Sequence, residues 1–217
     1  GLSTGAGITV GHALGSREDS EVHKTVHTTL PLAFICGGLL TMIGVCSTEE
    51  LLRMMNTPEK LLPLAAVYMR IYFIGSTFTI VYNYCSAILR ASGDTKSPLL
   101  FLSISGVLSV ALNVLFVVLL DMDVAGVAWA TVLSQGVSAF LVVRTLMRRT
   151  DSCRMELRKL RIYKKQLLKM LRIGLPSGIQ CALFYIANVI IQSSLNSFGD
   201  VFITGNSAAA NIEGFAS

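Results

Sequence analysis

The chain has 217 residues, of which 53% are apolar and only 14% are charged. Soluble domains carry about 25% charged residues, so the composition excludes an ordinary soluble domain. The net charge of +5 does not indicate nucleic acid as a partner, because eleven of the 18 Lys and Arg residues fall in one stretch, 144–172.

The apolar residues are gathered into stretches that predict membrane-spanning helices. The chain opens with a run of small residues, 1–15, which predicts the end of a helix packed closely against a neighbour. Five stretches with few or no charges follow, each long enough for a bilayer core that needs about 20 residues. They are residues 26–46, 63–89, 99–120, 124–147 and 173–199. Because the chain ends inside another apolar run, we expect a fragment of a longer protein.

The basic residues predict how these spans are oriented. Most lie in three connections, 16–25, 90–98 and 148–172, which the alternation of five spans puts on one side of the membrane. The positive-inside rule makes that side cytoplasmic. The opposite connection, 47–62, predicts a short interfacial helix interrupted at Thr57-Pro58.

The basic connection 148–172 has two interpretations. Its apolar residues Leu157, Leu160, Tyr163, Leu167 and Leu171 recur at helical spacing, which is typical of an amphipathic helix on the membrane surface. It can also be a loop whose charges only fix the orientation of the chain, and this interpretation explains most of the same observations.

The span 63–89 has a polar face about 100° wide on a helical wheel. This face contains Tyr68, Tyr72, Thr79, Tyr82, Asn83 and Ser86. Aromatic and amide groups suit a cavity that holds organic cations. The same groups also suit hydrogen bonds between helices, and both interpretations stay open.

The next two spans also carry polar side chains. Ser105, Ser109 and Asn113 share one face of span 99–120, and Thr131 lies on a polar face of span 124–147. These faces predict either packing of the two helices or a set of neutral oxygens around a small cation.

The last part of the chain adds further substrate-cavity candidates. Asn188 and Gln192 share a face of span 173–199, and Glu213 is a carboxylate in the final apolar run. A carboxylate within a membrane is a functional candidate, although this one fits the membrane interface equally well.

Enzymatic and metal chemistry have little support in the sequence. The five cysteines are scattered without a CxxC pair, and the three histidines are remote from them. No HExxH, GxSxG or P-loop motif is present. We therefore expect neither an enzyme nor a bound metal or other cofactor.

Several motifs together resemble the multidrug and toxic compound extrusion (MATE) family of transporters. They are GLSTGAGITVGHALGSRED, YMRIYFIGSTFTIVYNYCSAILRASGDTKSP, LNVLFVVLLDMDVAGVAWATVLSQ, IGLPSGIQ and GNSAAANIEGF. The resemblance implies an all-α polytopic membrane protein of twelve helices in two lobes. Residues 1–147 would be helices of the first lobe, 148–172 the cytoplasmic connection between lobes, and 173–217 the start of the second lobe.

The resemblance also implies a function and a coupling site. A member of this family exports organic cations across the plasma membrane in exchange for Na⁺ or H⁺, and we expect it to act as a monomer. Asn113 matches an Asn of the first-lobe cation site in some members, and Thr131 lies near that site. The carboxylate that follows the Asn in those members is Val117 here, and a second-lobe Glu of other members is Phe184. The coupling ion therefore stays open.

Two alternatives remain. A lipid-linked saccharide flippase of the same superfamily shares the architecture but needs a cationic cavity, for which the spans offer only Arg70, apart from Arg144 at the end of its span. A membrane scaffold without transport activity would explain the packing faces but not the tyrosines of span 63–89.

Overall fold

The computed structural model describes residues 1–54, 59–120 and 122–196, with side chains up to residue 188. Six α-helices occupy most of these residues. They are α1 (Leu2–Gly15), α2 (Asp19–Met54), α3 (Leu62–Ala91), α4 (Lys96–Asn113), α5 (Asp123–Arg148) and α6 (Lys164–Asn196). A π-helical segment, Val114–Leu119, continues α4, and a 3₁₀ turn, Leu157–Lys159, precedes α6. The described residues contain no strand, which confirms the all-α prediction.

Five of the helices are long and apolar enough to cross a membrane. They are α2, α3, α4 with its π-helical segment, α5, and α6 as far as Asn188. Each coincides with one of the five predicted spans. The prediction of a polytopic membrane protein is thus confirmed, because these stretches have the length and composition that a bilayer core requires.

The ends of α2 differ from the prediction. Residues 19–25 and 47–54, expected in connections, are helical. Asp19 and Glu21 lie in the first turn, where negative charge stabilises the exposed N–H groups of a helix. Residues 55–58, which include the predicted break at Thr57-Pro58, lie outside the described part of the chain.

The predicted surface helix in 148–172 is wrong, and the loop interpretation fits the structure. Residues 149–163 form a loop with only a 3₁₀ turn, and α6 begins at Lys164. The apolar side chains that suggested a helix therefore belong to two different elements. The loop is instead fixed by its buried Cys153 and Met155 side chains, both about 1% exposed.

The packing of the bundle centres on α3. This helix contacts α1, α2 and α5, while α4 packs on α5 and α6 packs against α1. Ala6, Val26, Ile88 and Val142 are among the fully buried residues of the core. In contrast, most of α4 is exposed, which suits a helix that faces lipid or the remainder of a larger protein.

The three connections predicted on one side do lie at one end of the bundle. Arg149 Nη1 donates to Ser92 Oγ over 2.8 Å, and Ser152 Oγ donates to Asp19 Oδ1. We call this end, formed by residues 16–18, 92–95 and 149–163, the basic end. Its grouping agrees with the orientation that the charges predict.

Candidate functional site

The α4–α5 hairpin holds polar groups between two largely apolar helices. Ser105 Oγ donates to the Ser134 carbonyl over 2.8 Å at a buried position. Two turns farther along α4, the Oδ1 atom of Asn113 is buried and has no hydrogen-bond partner among the described residues. A buried polar atom without a partner costs about 1–3 kcal/mol. The Oδ1 atom of Asn113 can therefore still accept a hydrogen bond or coordinate a cation.

The backbone changes its winding directly after Asn113. Residues Val114–Leu119 form the π-helical segment, and the Leu120 N–H donates to the Leu115 carbonyl five residues earlier over 3.1 Å. Such segments are uncommon and frequently occur at functional sites. The extra residue per turn also shifts the side chains beyond Asn113 away from the face that the α-helical spacing predicts.

Thr131 and Asn113 are not joined by a hydrogen bond in the described part of the chain. Ser105 Oγ donates to the Ser134 carbonyl and Phe116 lies against Gly126, so Asn113 lies between these two contacts of the antiparallel hairpin. The Thr131 hydroxyl donates to the Val127 carbonyl of its own helix over 3.0 Å. The two predicted cation-site residues share the hairpin, but the structure does not pair them directly.

The predicted polar face of α3 divides into two parts. Toward the outer end, the rings of Tyr68 and Tyr72 stack with their centroids 6.2 Å apart, and Tyr72 is 49% exposed. Asn83, nearer the basic end, is also exposed. These three side chains are accessible to a ligand.

The remaining part of that face is used for packing. Tyr82 is buried, and its hydroxyl donates to the Pro98 carbonyl over 2.7 Å, which ties α3 to the start of α4. Ser86 is fully buried as well, although its Oγ atom has no hydrogen-bond partner among the described residues. Since the Tyr82 hydroxyl already has an acceptor, it is not available to a ligand in this arrangement.

The candidates on α6 and beyond are only partly described. Asn188 is exposed at the outer part of α6. The side chain of Gln192 and all of Glu213 lie outside the described residues. Of these three, only the Asn188 side chain belongs to the described residues, and it forms no hydrogen bond with the tyrosines of α3 there.

A polar cluster between α2 and α3 was missed by the sequence reasoning. Thr41 Oγ1 donates to the Phe73 carbonyl over 2.8 Å and lies 3.1 Å from Thr77 Oγ1. A side chain on Gly37 would collide with Thr77, since its Cβ would lie 2.9 Å from the Thr77 Cα. The spacing of Gly37, Thr41 and Gly44 is the small-residue pattern of close helix contacts, and it was available as a signal.

At the basic end, side chains of α2 hold the loop 149–163. The Glu156 N–H donates to His27 Nε2 over 3.1 Å, so that nitrogen carries no proton. His27 Nδ1 therefore carries the proton and donates to the His23 carbonyl over 2.8 Å. One residue later, Thr28 Oγ1 accepts a bond from the Tyr163 N–H over 3.2 Å.

Two titratable groups of the basic end are shifted by their surroundings. Burial raises the pKa of the Cys153 thiol to about 11. Hydrogen bonds from the Ser97 side chain and backbone lower the pKa of Asp94, which accepts from the Ser97 N–H over 3.0 Å at the start of α4. The thiol is thus held inert, and the carboxylate is held charged as an end cap for α4.

Glu21 connects α2 with α6. Its carboxylate accepts a bond from Gln166 Nε2 over 2.9 Å and lies 3.5 Å from Lys165 Nζ and 3.6 Å from Lys169 Nζ. Beside it, a cavity of about 440 Å³ lies between α1, α2 and α6. The cavity is bordered by Thr9, His12, Glu18 and Arg172 as well as the two lysines. The sequence reasoning singled out neither Glu21 nor His27.

Comparison with known proteins connects this architecture to transporters. The family model described as MatE matches residues 1–115. The probable multidrug resistance protein YpnP of Bacillus subtilis is 35% identical over 170 residues, which are 78% of this chain and 38% of that protein. The probable multidrug resistance protein YoeA of the same organism is 32% identical over 209 residues, or 92% of this chain and 44% of that protein.

A solved structure extends the similarity to three dimensions. A crystal structure of a MATE protein in a bent conformation matches with a TM-score of 0.88 and 25% identity. The match covers 97% of this chain and 48% of the other. The chain thus spans less than half the length of each of these proteins.

Proposed function

Because the chain belongs to the MatE family of membrane transporters, we propose that the complete protein exports amphipathic cationic drugs in exchange for Na⁺ or H⁺. The chain is part of a multi-pass integral membrane protein, and its family consists of transporters and not of enzymes. We assign residues 1–147 to the first lobe, 148–172 to the cytoplasmic connection and 173–217 to the second lobe. Export would take place across the plasma membrane.

The Oδ1 atom of Asn113, which is buried and has no partner among the described residues, carries the proposal for the coupling site. An amide oxygen that lacks a partner is poorly tolerated inside a membrane unless something else binds it, because no water is available there. A Na⁺ ion, which prefers oxygen ligands, or a protonated carboxyl group from another helix would satisfy it. In either case, binding at Asn113 depends on the concentration of Na⁺ or H⁺ and therefore on an ion gradient.

The stacked tyrosines of α3 support the proposal of a cationic substrate. Tyr68 and Tyr72 offer stacked ring faces, which attract organic cations by cation–π interaction. Arg70, the cation nearest to them in sequence, is paired with Glu49 over 2.6 Å. A single exposed arginine that already has an acidic partner does not make the cationic cavity that a pyrophosphate-bearing saccharide would need, so no observation favours the flippase.

The test is dye export by the full-length protein in proteoliposomes under an imposed Na⁺ or H⁺ gradient. We expect Asn113→Leu to reduce gradient-driven export at least tenfold, because leucine fills the site without an oxygen. Tyr72→Ala should keep the dependence on the gradient but change which dyes are exported. Ser103→Ala, an exposed position on the same helix as Asn113, serves as the matched control and should behave like the wild type.

Normal export by Asn113→Leu would remove the hairpin from the coupling mechanism. An absence of export by the wild-type protein under both gradients, with several cationic dyes, would overturn the proposed function itself.

A further inference from the structure

The contact of α6 with α1 and α2 combines a close approach of glycines with a region of polar side chains. At its centre, α1 and α6 approach closely through glycine, since a Cβ on Gly5 would lie 2.7 Å from the Gly174 Cα. Toward the basic end the seam widens into the cavity of about 440 Å³. There α6 is joined to α2 by the polar contacts of Glu21, while Met170 of α6 is fully buried in the apolar core.

The ion pairs of Glu21 are weak enough to break when α6 moves away from α2. The side chain of Glu21 is only 15% exposed, but those of its partners Lys165 and Lys169 are 70% and 48% exposed. Ion pairs with an exposed member can exchange their partner for water at little cost. The polar contact between α2 and α6 therefore opens more easily than the apolar contact of α6 with the core.

The loop 149–163 stays with α2 and does not take part in this seam. His27 and Thr28 bind its backbone, and Asp19 accepts a bond from Ser152. The last of these attachments is at Tyr163, one residue before α6 begins at Lys164. A movement of α6 relative to the bundle would therefore pivot between Tyr163 and Lys164.

We propose that Glu21 is the latch that closes the basic end, holding α6 against α2 until the two lobes separate there during transport. This inference rests on the proposed function, in which α6 belongs to the second lobe. Glu21 acts as a positioning residue, since it binds another part of the chain and not the substrate. Opening requires its bonds to Gln166 and to the two lysines to break together.

Two cysteine pairs in the full-length protein, freed of its own cysteines, test the latch directly. Glu21→Cys with Gln166→Cys replaces the latch by a covalent bridge, and we expect oxidation to block dye export and a reducing agent to restore it. Asp19→Cys with Ser152→Cys is the matched control, because it ties the loop to the same helix at the same end. Oxidation of this second pair should leave export unchanged.

A second measurement needs no substrate, so it separates the latch from the proposed function. Thr9 lines the cavity and is 5% exposed, and a Thr9→Cys thiol reports opening of the seam through its alkylation rate. Loss of a few exposed ion pairs is worth about 1 kcal/mol, so Glu21→Gln should raise this rate about fivefold. Glu18→Gln, which borders the same cavity without an ion pair among the described residues, should not.

The bridging experiment and the alkylation experiment can each overturn the latch. Full export by the bridged 21–166 protein, failure of that pair to bridge in the folded protein, or equal alkylation in Glu21→Gln and Glu18→Gln would each overturn the latch. If the wild type exports no dye but Glu21→Gln still accelerates alkylation, the latch stands and only the proposed function fails.

Discussion

The basic end and the α4–α5 hairpin both bury polar side chains, yet they use them in opposite ways. At the basic end, His27 has both ring nitrogens bonded, and Thr28 accepts a backbone N–H. In the hairpin, Asn113 Oδ1 is equally buried but has no partner among the described residues. A buried polar group that is satisfied fastens two elements, whereas one that is left open is available to a ligand.

The largest difference that we expect within the basic end concerns thiol reactivity. With the other four cysteines replaced, Cys153 should react with a maleimide about 100-fold more slowly at neutral pH than an exposed cysteine introduced by Arg158→Cys. The pKa of Cys153 is raised to about 11, so only a very small fraction is thiolate, the reactive form. Its rate should rise about tenfold per pH unit until the pH approaches that pKa.

The same pair of thiols reports on which side of the membrane the basic end lies. We expect an impermeant maleimide to label Arg158→Cys only after the cells are permeabilised. Labelling of intact cells would contradict the cytoplasmic orientation. Rapid labelling of Cys153 in the folded protein would contradict the buried loop.

Replacement of a buried polar side chain that is fully hydrogen-bonded should lower the free energy of unfolding more than replacement of one that lacks a partner. His27→Leu leaves the Glu156 N–H without its acceptor, so we expect a loss of about 1–3 kcal/mol, measured by thermal unfolding in detergent. His12→Leu is the matched control, because His12 is exposed and makes no side-chain hydrogen bond within the described residues. Equal melting temperatures for the two variants would show that His27 does not fasten the loop.

The smallest loss of stability should occur in the hairpin. Asn113→Leu removes a buried oxygen that has no partner among the described residues, so its stability in detergent should stay level or rise by up to about 3 kcal/mol in the absence of a coupling ion. In contrast, added Na⁺ should stabilise the wild type and not this variant if Na⁺ is the coupling ion. A large loss of stability in Asn113→Leu would mean that the amide joins helices, and the comparison with His27 would then fail.

The spans could be predicted from sequence because their signal is local. A run such as 99–120 has no charged residue, and only a membrane accommodates five runs of this kind in one chain. The helix ends were less predictable. The loop 149–163 has apolar residues at helical spacing, but its conformation depends on side chains of α2 that lie about 130 residues away in the sequence.

The candidate site was only partly accessible to sequence reasoning. The helical wheel placed Tyr72 and Tyr82 on one face of α3, as if that face had the same surroundings along its whole length. The structure places Tyr72 on an open surface and Tyr82 against Pro98. The proposed pairing of Asn113 with Thr131 depends on how α4 and α5 are aligned. The helical periodicity of each segment does not determine that alignment.

The sequence by itself determined that this chain crosses a membrane several times, which connections share a side, and which family it resembles. These follow from hydrophobicity, charge and local motifs, which are properties of neighbouring residues. Only the tertiary structure decided that the Oδ1 atom of Asn113 is buried without a partner among the described residues, that His27 binds the loop, and that Glu21 joins α2 to α6. Each of these depends on which distant backbone or side-chain atom comes within about 3 Å, and hydrogen bonding is decided at that distance.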